Sequence, residues 1–505
     1  MLRDIAMAWA FGTQSSIAAL LVAFRLSHLL RRVFGEGAMQ TALIPLFEEL
    51  RKEDRQRGAQ FISHLKGALS LLLTLIIVIA MGGIWMLLQS HSLSEGNQEI
   101  AWLTCLMMPS LLFICLFGIN ASILQCEKAY FIPSAAPVLF NLIWIVGIGY
   151  TWMMVPEKAV TIIALFIILA CFGQWLVTVP KTHAILKDHG NTPFNWKNWR
   201  ALFSVDLLRL TKPLSLAVVG VAATQINTAL DAIFARWASE EGPAFLWYAI
   251  RLQQLPLALI GVALSGAILP PLARAAKQED SAKFQEFLAY GKEMILLWII
   301  PITAMVFLFG DLSISLIFGH GDFTVHSAVE TTRALWGYGI GLLPMAMILV
   351  VAPAFYASGD YKTPSLAATG SMVINVFLNT LFVGIFDWGA ASIACATSFS
   401  ALFNLAWLER ALKGSYTKLS TTALKALLAS GVGALATIAF QTTYGQLPLI
   451  TNLAARLEMV FELKTTEQAL LLGLSIGVFL AGFALAGKVL LKGERDLSNI
   501  RDKGP

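Results

Sequence analysis

SIAALLVAFRLSHLLRRVF, residues 16–34, has the length and apolarity of a lipid-spanning helix, yet it carries Arg25, Arg31 and Arg32. About 20 apolar residues suffice to cross the hydrocarbon core of a bilayer. An ionisable side chain at that depth costs at least ~2.5–3.5 kcal/mol on insertion scales, so it normally faces a watery cavity or an opposite charge. Three guanidinium groups in one such stretch point to an anion.

The rest of the chain fits this setting. Of its 505 residues 57% are hydrophobic and only 13% charged, where a soluble domain carries roughly 25% charged residues. Mean hydropathy is +0.70. Apolar spans can be placed at 16–34, 61–89, 99–124, 133–155, 159–180, 213–238, 244–272, 286–309, 334–357, 364–386, 389–409, 422–441 and 466–490. The opening LRDIAMAWAFG reads as the stump of one more, which makes fourteen. No small-residue cleavage site follows a long apolar core near Met1, so no cleavable signal peptide is expected. Cys105, Cys115, Cys126, Cys171 and Cys395 lie in apolar runs without a C-x-x-C pair, and read as small buried hydrophobes.

Charge in the loops orients the spans. With the N-terminus in the cytoplasm, the inside loops are 48–60, 125–131, 181–212, 274–283, 358–363, 410–418 and 488–505, and they hold 23 of the 36 Lys and Arg residues. The outside loops hold only Lys158, Arg236, Arg456 and Lys464. The positive-inside rule therefore places both termini in the cytoplasm.

An internal repeat divides the chain. At an offset of 226 residues, AFRLSHLLRRVFGEGAMQTALIPLFEEL (23–50) overlies AIRLQQLPLALIGVALSGAILPPLARAA (249–276), pairing Arg25 with Arg251, Gly35 with Gly261 and Pro45 with Pro271. A weaker echo relates LQCEKAYFIPS (124–134) to FYASGDYKTPS (355–365). Both copies run the same way through the membrane, as in transporters built from parallel repeats around a midplane cavity. The expected fold is an all-α polytopic membrane protein of two pseudo-symmetric six-helix halves plus two extra C-terminal helices. Spans one to six fall in 1–186, a cytoplasmic linker in 187–211, spans seven to twelve in 212–415, and the extra pair with a cytoplasmic tail in 416–505.

Symmetry puts Arg25 and Arg251 at matching depths. Arg32 lies seven residues after Arg25 and so near the same helical face, Arg31 is displaced sideways, and Arg3 enters from the stump. Guanidinium is always charged and grips phosphate or carboxylate in a bidentate fork. The plainer reading is that Arg31 and Arg32 snorkel to the interface or pair with Glu36. Gly35, Glu36 and Gly37 interrupt the segment and would permit a hinge, or merely close packing. Pro256 and the pair Pro270–Pro271 make the span at 244–272 prone to kinking. No G-x-x-x-x-G-K-[ST] loop is present, so energy would come from an ion gradient, the membrane potential or the substrate gradient. The seven histidines are scattered, and Asp, Glu and His form no cluster at a membrane face of the kind an embedded transferase needs. Nothing points to a nucleic acid or a bound cofactor.

The run RLSHLLRRVFGEGA, with its RLxxLLRRxFxEGA pattern, closely resembles the second helix of the MurJ (MviN) family of lipid II flippases, in the multidrug/oligosaccharidyl-lipid/polysaccharide exporter superfamily. The likeness continues through LWYAIRLQQLPLALIGVALSGAILPPLARAA, SLIFGHGDFT and APAFYASGDYKTP. The resemblance implies a monomer that moves undecaprenyl-pyrophosphate-linked disaccharide pentapeptide, lipid II, across the bacterial inner membrane by alternating access. It maps essential arginines onto Arg3, Arg31 and Arg251 and a basic position onto Arg25, and it leaves Arg32 as the interfacial one. It also implies that the extra helix pair forms a groove for the isoprenoid tail, where peripheral packing is the plain alternative.

The chain departs from the family in three places. The longer first helix with S-R-V-x-G would precede Met1, so the expectation is a late start or a shortened chain. Ala18 and Gln254 stand where the family often has acidic residues. Asp231, Asn375, Asn379 and Thr397 resemble a sodium site of some members and could offer oxygen ligands, or could form an interhelical hydrogen-bond network. Export of another lipid-linked polysaccharide or a drug on the same fold is the alternative function.

Overall fold

A computed structural model describes residues 1–31, 38–90, 93–190, 204–412, 417–443 and 452–490, and these are helical, with no strand among them. The first helices are α1 (Leu2–Phe11), α2 (Ser15–Ser27), α3 (Ala38–Glu53), α4 (Arg55–Gln89), α5 (Glu95–Met107) and α6 (Ser110–Cys126). They are followed by α7 (Phe131–Thr151), α8 (Pro156–Asp188), α9 (Val205–Ala238) and α10 (Gly242–Pro256). A π-helical segment, Leu257–Val262, joins α10 to α11 (Ala263–Lys277), and then come α12 (Ser281–Phe318), α13 (Val325–Ala357) and α14 (Lys362–Asn379). After a second π segment, Thr380–Ile385, the chain ends with α15 (Ala391–Leu412), α16 (Thr417–Thr443), α17 (Leu453–Glu462) and α18 (Thr465–Leu490).

Among the described residues each expected span overlaps one or more helices, the span at 16–34 only through Ser27 and the span at 99–124 through two helices. Ten helical stretches among the described residues are long and apolar enough to cross a bilayer, or eleven when α5 and α6, bent by 44°, count as one. The bend falls at Met108–Pro109, where proline brings no N–H to the helix ladder. Large apolar side chains point outward, as with Leu75 at 57% and Ile79 at 65% exposure, while Asp311 and Asn375 are buried. That distribution suits lipid as the surrounding solvent. The chain is a multi-pass membrane protein.

Three expectations change in detail. The stretch 48–60, read as a loop, is helical on both sides of Asp54, which caps α4 by accepting from Gln56 N at 2.9 Å. The stretch 442–464, also read as a loop, contains α17, capped by Asn452. Near Pro256 the chain passes into π-helical turns, and it stays helical through Pro270 and Pro271. A wider i→i+5 turn absorbs the missing hydrogen bond that would otherwise kink the helix.

The chain forms two compact units, Met1–Ala244 and Phe245–Pro505. In the first, α7 and α6 pack on α8, α2 packs on α5, and α9 lies against α2, α3 and α4. In the second, α13 packs closely on α15 and α12, and α16 pairs with α18. Apolar burial drives little association between helices in lipid, so close approach depends on small residues. A Cβ on Gly341 would stand 2.5 Å from Ser398 Oγ, and one on Gly337 2.9 Å from Ala394 Cβ. The extra pair, α16 and α18, crosses in the same way, since a Cβ on Gly482 would lie 3.0 Å from Gly433 Cα. Both helices also pack on α12.

Candidate functional site

In the first unit the site is built around Trp144 on α7. The Arg3 guanidinium carbon lies 4.3 Å from the centre of the Trp144 ring, and Arg3 Nη2 donates to Asp4 Oδ1 at 2.8 Å. Asp4 and Trp144 are both buried. Phe24 and Phe140 close on the indole with ring centroids at 5.0 and 5.7 Å. Arg25 directly follows Phe24, in the last turn of α2.

His28 then fixes the end of that helix. Its ring lies 4.3 Å from Phe24, and Nδ1 donates to the Phe24 carbonyl oxygen at 3.0 Å, which leaves Nε2 facing Ser110 Oγ at 3.3 Å and Cys171 Sγ at 3.7 Å. Arg31 follows with its N–H bonded to the His28 carbonyl. Arg25 and Arg31 are therefore half-buried on either side of a packed histidine. Arg32 and the hinge candidates Gly35, Glu36 and Gly37 lie outside the described residues.

In the second unit Arg251 repeats the theme with different parts. Its guanidinium carbon lies 4.3 Å from the centre of the Trp247 ring, one turn earlier on α10. Gln254 Oε1 accepts from Arg251 Nη1 at 3.5 Å, so a neutral amide stands at this contact. Gln253, buried, donates to the Tyr338 carbonyl at 3.1 Å and ties α10 to α13. The π segment begins six residues after Arg251, at the repeat position of Arg31. The first copy leaves α-helical geometry slightly earlier, at His28.

The second polar cluster divides between the units. Asn379 Nδ2 donates to Asn375 Oδ1 at 2.9 Å, and Asn375 Nδ2 to Thr397 Oγ1 at 3.3 Å, which links α14 to α15. Asp231 is in the first unit, where Asn227 Nδ2 lies 3.5 Å from its Oδ2.

The family model for lipid II flippase MurJ matches residues 7–455. The chain belongs to the MurJ family. A curated MurJ relative from Burkholderia cenocepacia, named a lipid II flippase, is 30% identical over 414 residues, covering 80% of this chain and 78% of that one. A probable lipid II flippase MurJ from Chlamydia pneumoniae is 28% identical over 410 residues, covering 80% of this chain and 72% of the relative. Among solved structures, an inward closed conformation of lipid II flippase MurJ superposes with a TM-score of 0.73 at 23% identity, covering 97% of this chain and 96% of that one. An inward-facing multidrug resistance MATE transporter of the MOP superfamily follows at a TM-score of 0.64 and 14% identity, over 81% of this chain and 93% of the other. These structural likenesses establish the MOP transporter fold.

Sequence reasoning singles out Arg3 and Arg251 but not the indoles they lie over. Trp247 was accessible to it, four residues before Arg251 on one helix. Trp144 lies 141 positions from Arg3 and is one of 14 tryptophans in an apolar chain, so nothing local marks it. His28 is hidden for the same reason.

Proposed function

We propose that this chain is a lipid II flippase of the bacterial inner membrane, moving undecaprenyl-pyrophosphate-linked disaccharide pentapeptide from the cytoplasmic to the outer leaflet by alternating access. The observation that carries the reading is the pair of guanidinium groups in apolar helices, Arg3 in one unit and Arg251 in the other, each over a buried indole. None of the headgroup of such a lipid enters hydrocarbon unaided, and its pyrophosphate is the anion that arginine forks match. The isoprenoid tail needs no escort, since it remains in lipid. Both termini face the cytoplasm in this reading, supported by the 23 Lys and Arg residues in the inside loops. The working unit is a monomer. Export of another lipid-linked polysaccharide or of a drug has only the shared fold in its favour.

Sodium is proposed as the coupling ion on narrower grounds. The oxygens of Asn375, Asn379 and Thr397 and the Asp231 carboxylate suit a small hard cation, although the three neutral side chains already bond to one another. Transport that ignores both sodium replacement and Asp231→Asn would remove this part.

Complementation tests the main reading. A strain depleted of its own lipid II flippase should grow when given this chain and should fail with Arg251→Ala at equal expression. Growth of that variant at the normal rate would sink the role assigned to Arg251.

A further inference from the structure

We infer that Trp144 and Trp247 are positioning residues for anion binding, each holding an arginine over its indole face so that the guanidinium is fixed in place. The inference rests on the reading that Arg3 and Arg251 receive the pyrophosphate of a lipid. It adds the part of the site that sets their geometry and charge.

Two independent arrangements converge on one contact. Arg3 reaches its tryptophan across the α1–α7 interface, whereas Arg251 reaches one on its own helix, and both guanidinium carbons lie 4.3 Å from the ring centre. The two tryptophans are not related by the internal repeat, because the 226-residue offset pairs Trp247 with Leu21. Both indoles are buried and cannot drift: Phe24 and Phe140 clamp Trp144, and Trp247 is 6% exposed on a helix tied to α13 through Gln253.

The chemistry explains why an indole is useful there. A carboxylate partner would hold an arginine as well, but it would cancel the charge and occupy the N–H edge that an anion needs. The negative face of an indole attracts the cation and leaves that edge for the ligand. Arg3 combines both devices, since Asp4 takes one of its Nη2 hydrogens. Arg251 donates from Nη1 to the neutral Gln254 amide oxygen at 3.5 Å.

Undecaprenyl pyrophosphate binding to the full chain in lipid nanodiscs tests this. Trp247→Leu should weaken binding by about 2–30-fold, and Trp247→Phe by less, as expected for the loss and the weakening of one cation–π contact. Site-specific fluorination of Trp247 keeps the shape of the ring and withdraws its face charge, so affinity should fall stepwise with each added fluorine. Trp144 should follow the same order. Folded variants that bind as tightly as the parent, or affinity that ignores fluorination, would overturn the inference. Arg251→Ala is the separate control: if it binds the probe as well as the parent, the anion-site reading fails, whatever the tryptophans do.

Discussion

Arg456 and Asp311 form a buried ion pair in the second unit, and Arg456 Nη2 also donates to Gln441 Oε1 at 3.1 Å. Gln441 in turn donates to Ser475 Oγ at 3.2 Å, so one arginine of α17 ties together α12, α16 and α18. Removing one member of such a pair strands a charge, which costs about 3–5 kcal/mol, whereas replacing both by apolar residues of similar volume is often neutral. Arg456→Ala should accordingly lower the melting temperature in detergent sharply, and Arg456→Met with Asp311→Leu should recover most of the loss. The sequence concealed this pair because both Arg456 and Asp311 read as loop residues, Asp311 lying just past the span 286–309. The arginines of the candidate site were legible, since charge inside an apolar run is conspicuous without any knowledge of contacts. At helix starts outside the membrane, carboxylates do local work. Thr363 Oγ1 and the Lys362 and Thr363 N–H groups hold the Asp360 carboxyl below its ordinary value, and the Lys283 N–H and ammonium do so for Asp280. A carboxyl whose value is lowered by folding stabilises above its unfolded value and loses that effect as pH falls through the lowered one. Amide exchange in the first turn of α14 should therefore be faster in Asp360→Ala than in the parent at neutral pH. The difference should close in acid; a difference that persists there would contradict the cap.

Helix contacts in this protein depend on absent side chains as much as on present ones. Along α13, Gly337 and Gly341 let α15 approach so closely that Ser398 Oγ donates to the Gly337 carbonyl at 2.7 Å. Gly341→Ala places a methyl group 2.8 Å from Ser398 Cα, an overpacking that costs about 1–3 kcal/mol. Gly266 on α11 has nothing within 4 Å of the same added atom. Gly266→Ala should be tolerated, with a change within about 1 kcal/mol, and melting curves of the two variants should separate clearly. The helices themselves were legible because ~20 apolar residues admit one structure in lipid. Their exceptions were not. The break at Met108–Pro109, the π turns after Pro256 and the short helix α17 depend on how neighbours satisfy backbone groups, which hydropathy does not record.

Across the molecule, α9 stands out because it opens the second copy of the repeat but packs within the first unit. At its start Arg57 grips Asp206 in a bidentate pair at 2.7 and 3.0 Å, and Arg209 reaches Glu49 at 2.6 Å. At its end Arg236 bonds Ser15 Oγ at 3.0 Å as well as the Glu240 carbonyl. If transport requires α9 to leave and regain these partners, Asp206→Arg should lower transport several-fold, and the charge swap with Arg57→Asp should restore most of it. The deficit should shrink in high salt, which screens exposed charges beyond ~10 Å at 0.1 M and more closely above that. A swap no better than the single change would mean that the pair has no part in the cycle. The bias of loop charge and the 226-residue offset were readable from the sequence. The attachment of α9 was not, because both of its ends pair with residues distant in sequence.

The Asp311–Arg456 pair also has a consequence for biosynthesis. Asp311 is synthesised 145 residues ahead of its partner, a delay of about 7–30 s at ordinary rates of chain synthesis. Throughout that interval α12 carries a carboxylate that only the end of the chain can neutralise. A ribosome that stalls or terminates before Arg456 thus leaves an intermediate whose Asp311 carboxylate still lacks this partner, a feature that membrane proteases and insertases can recognise. Synthesis of α17 becomes the checkpoint at which the nascent protein stops looking misfolded.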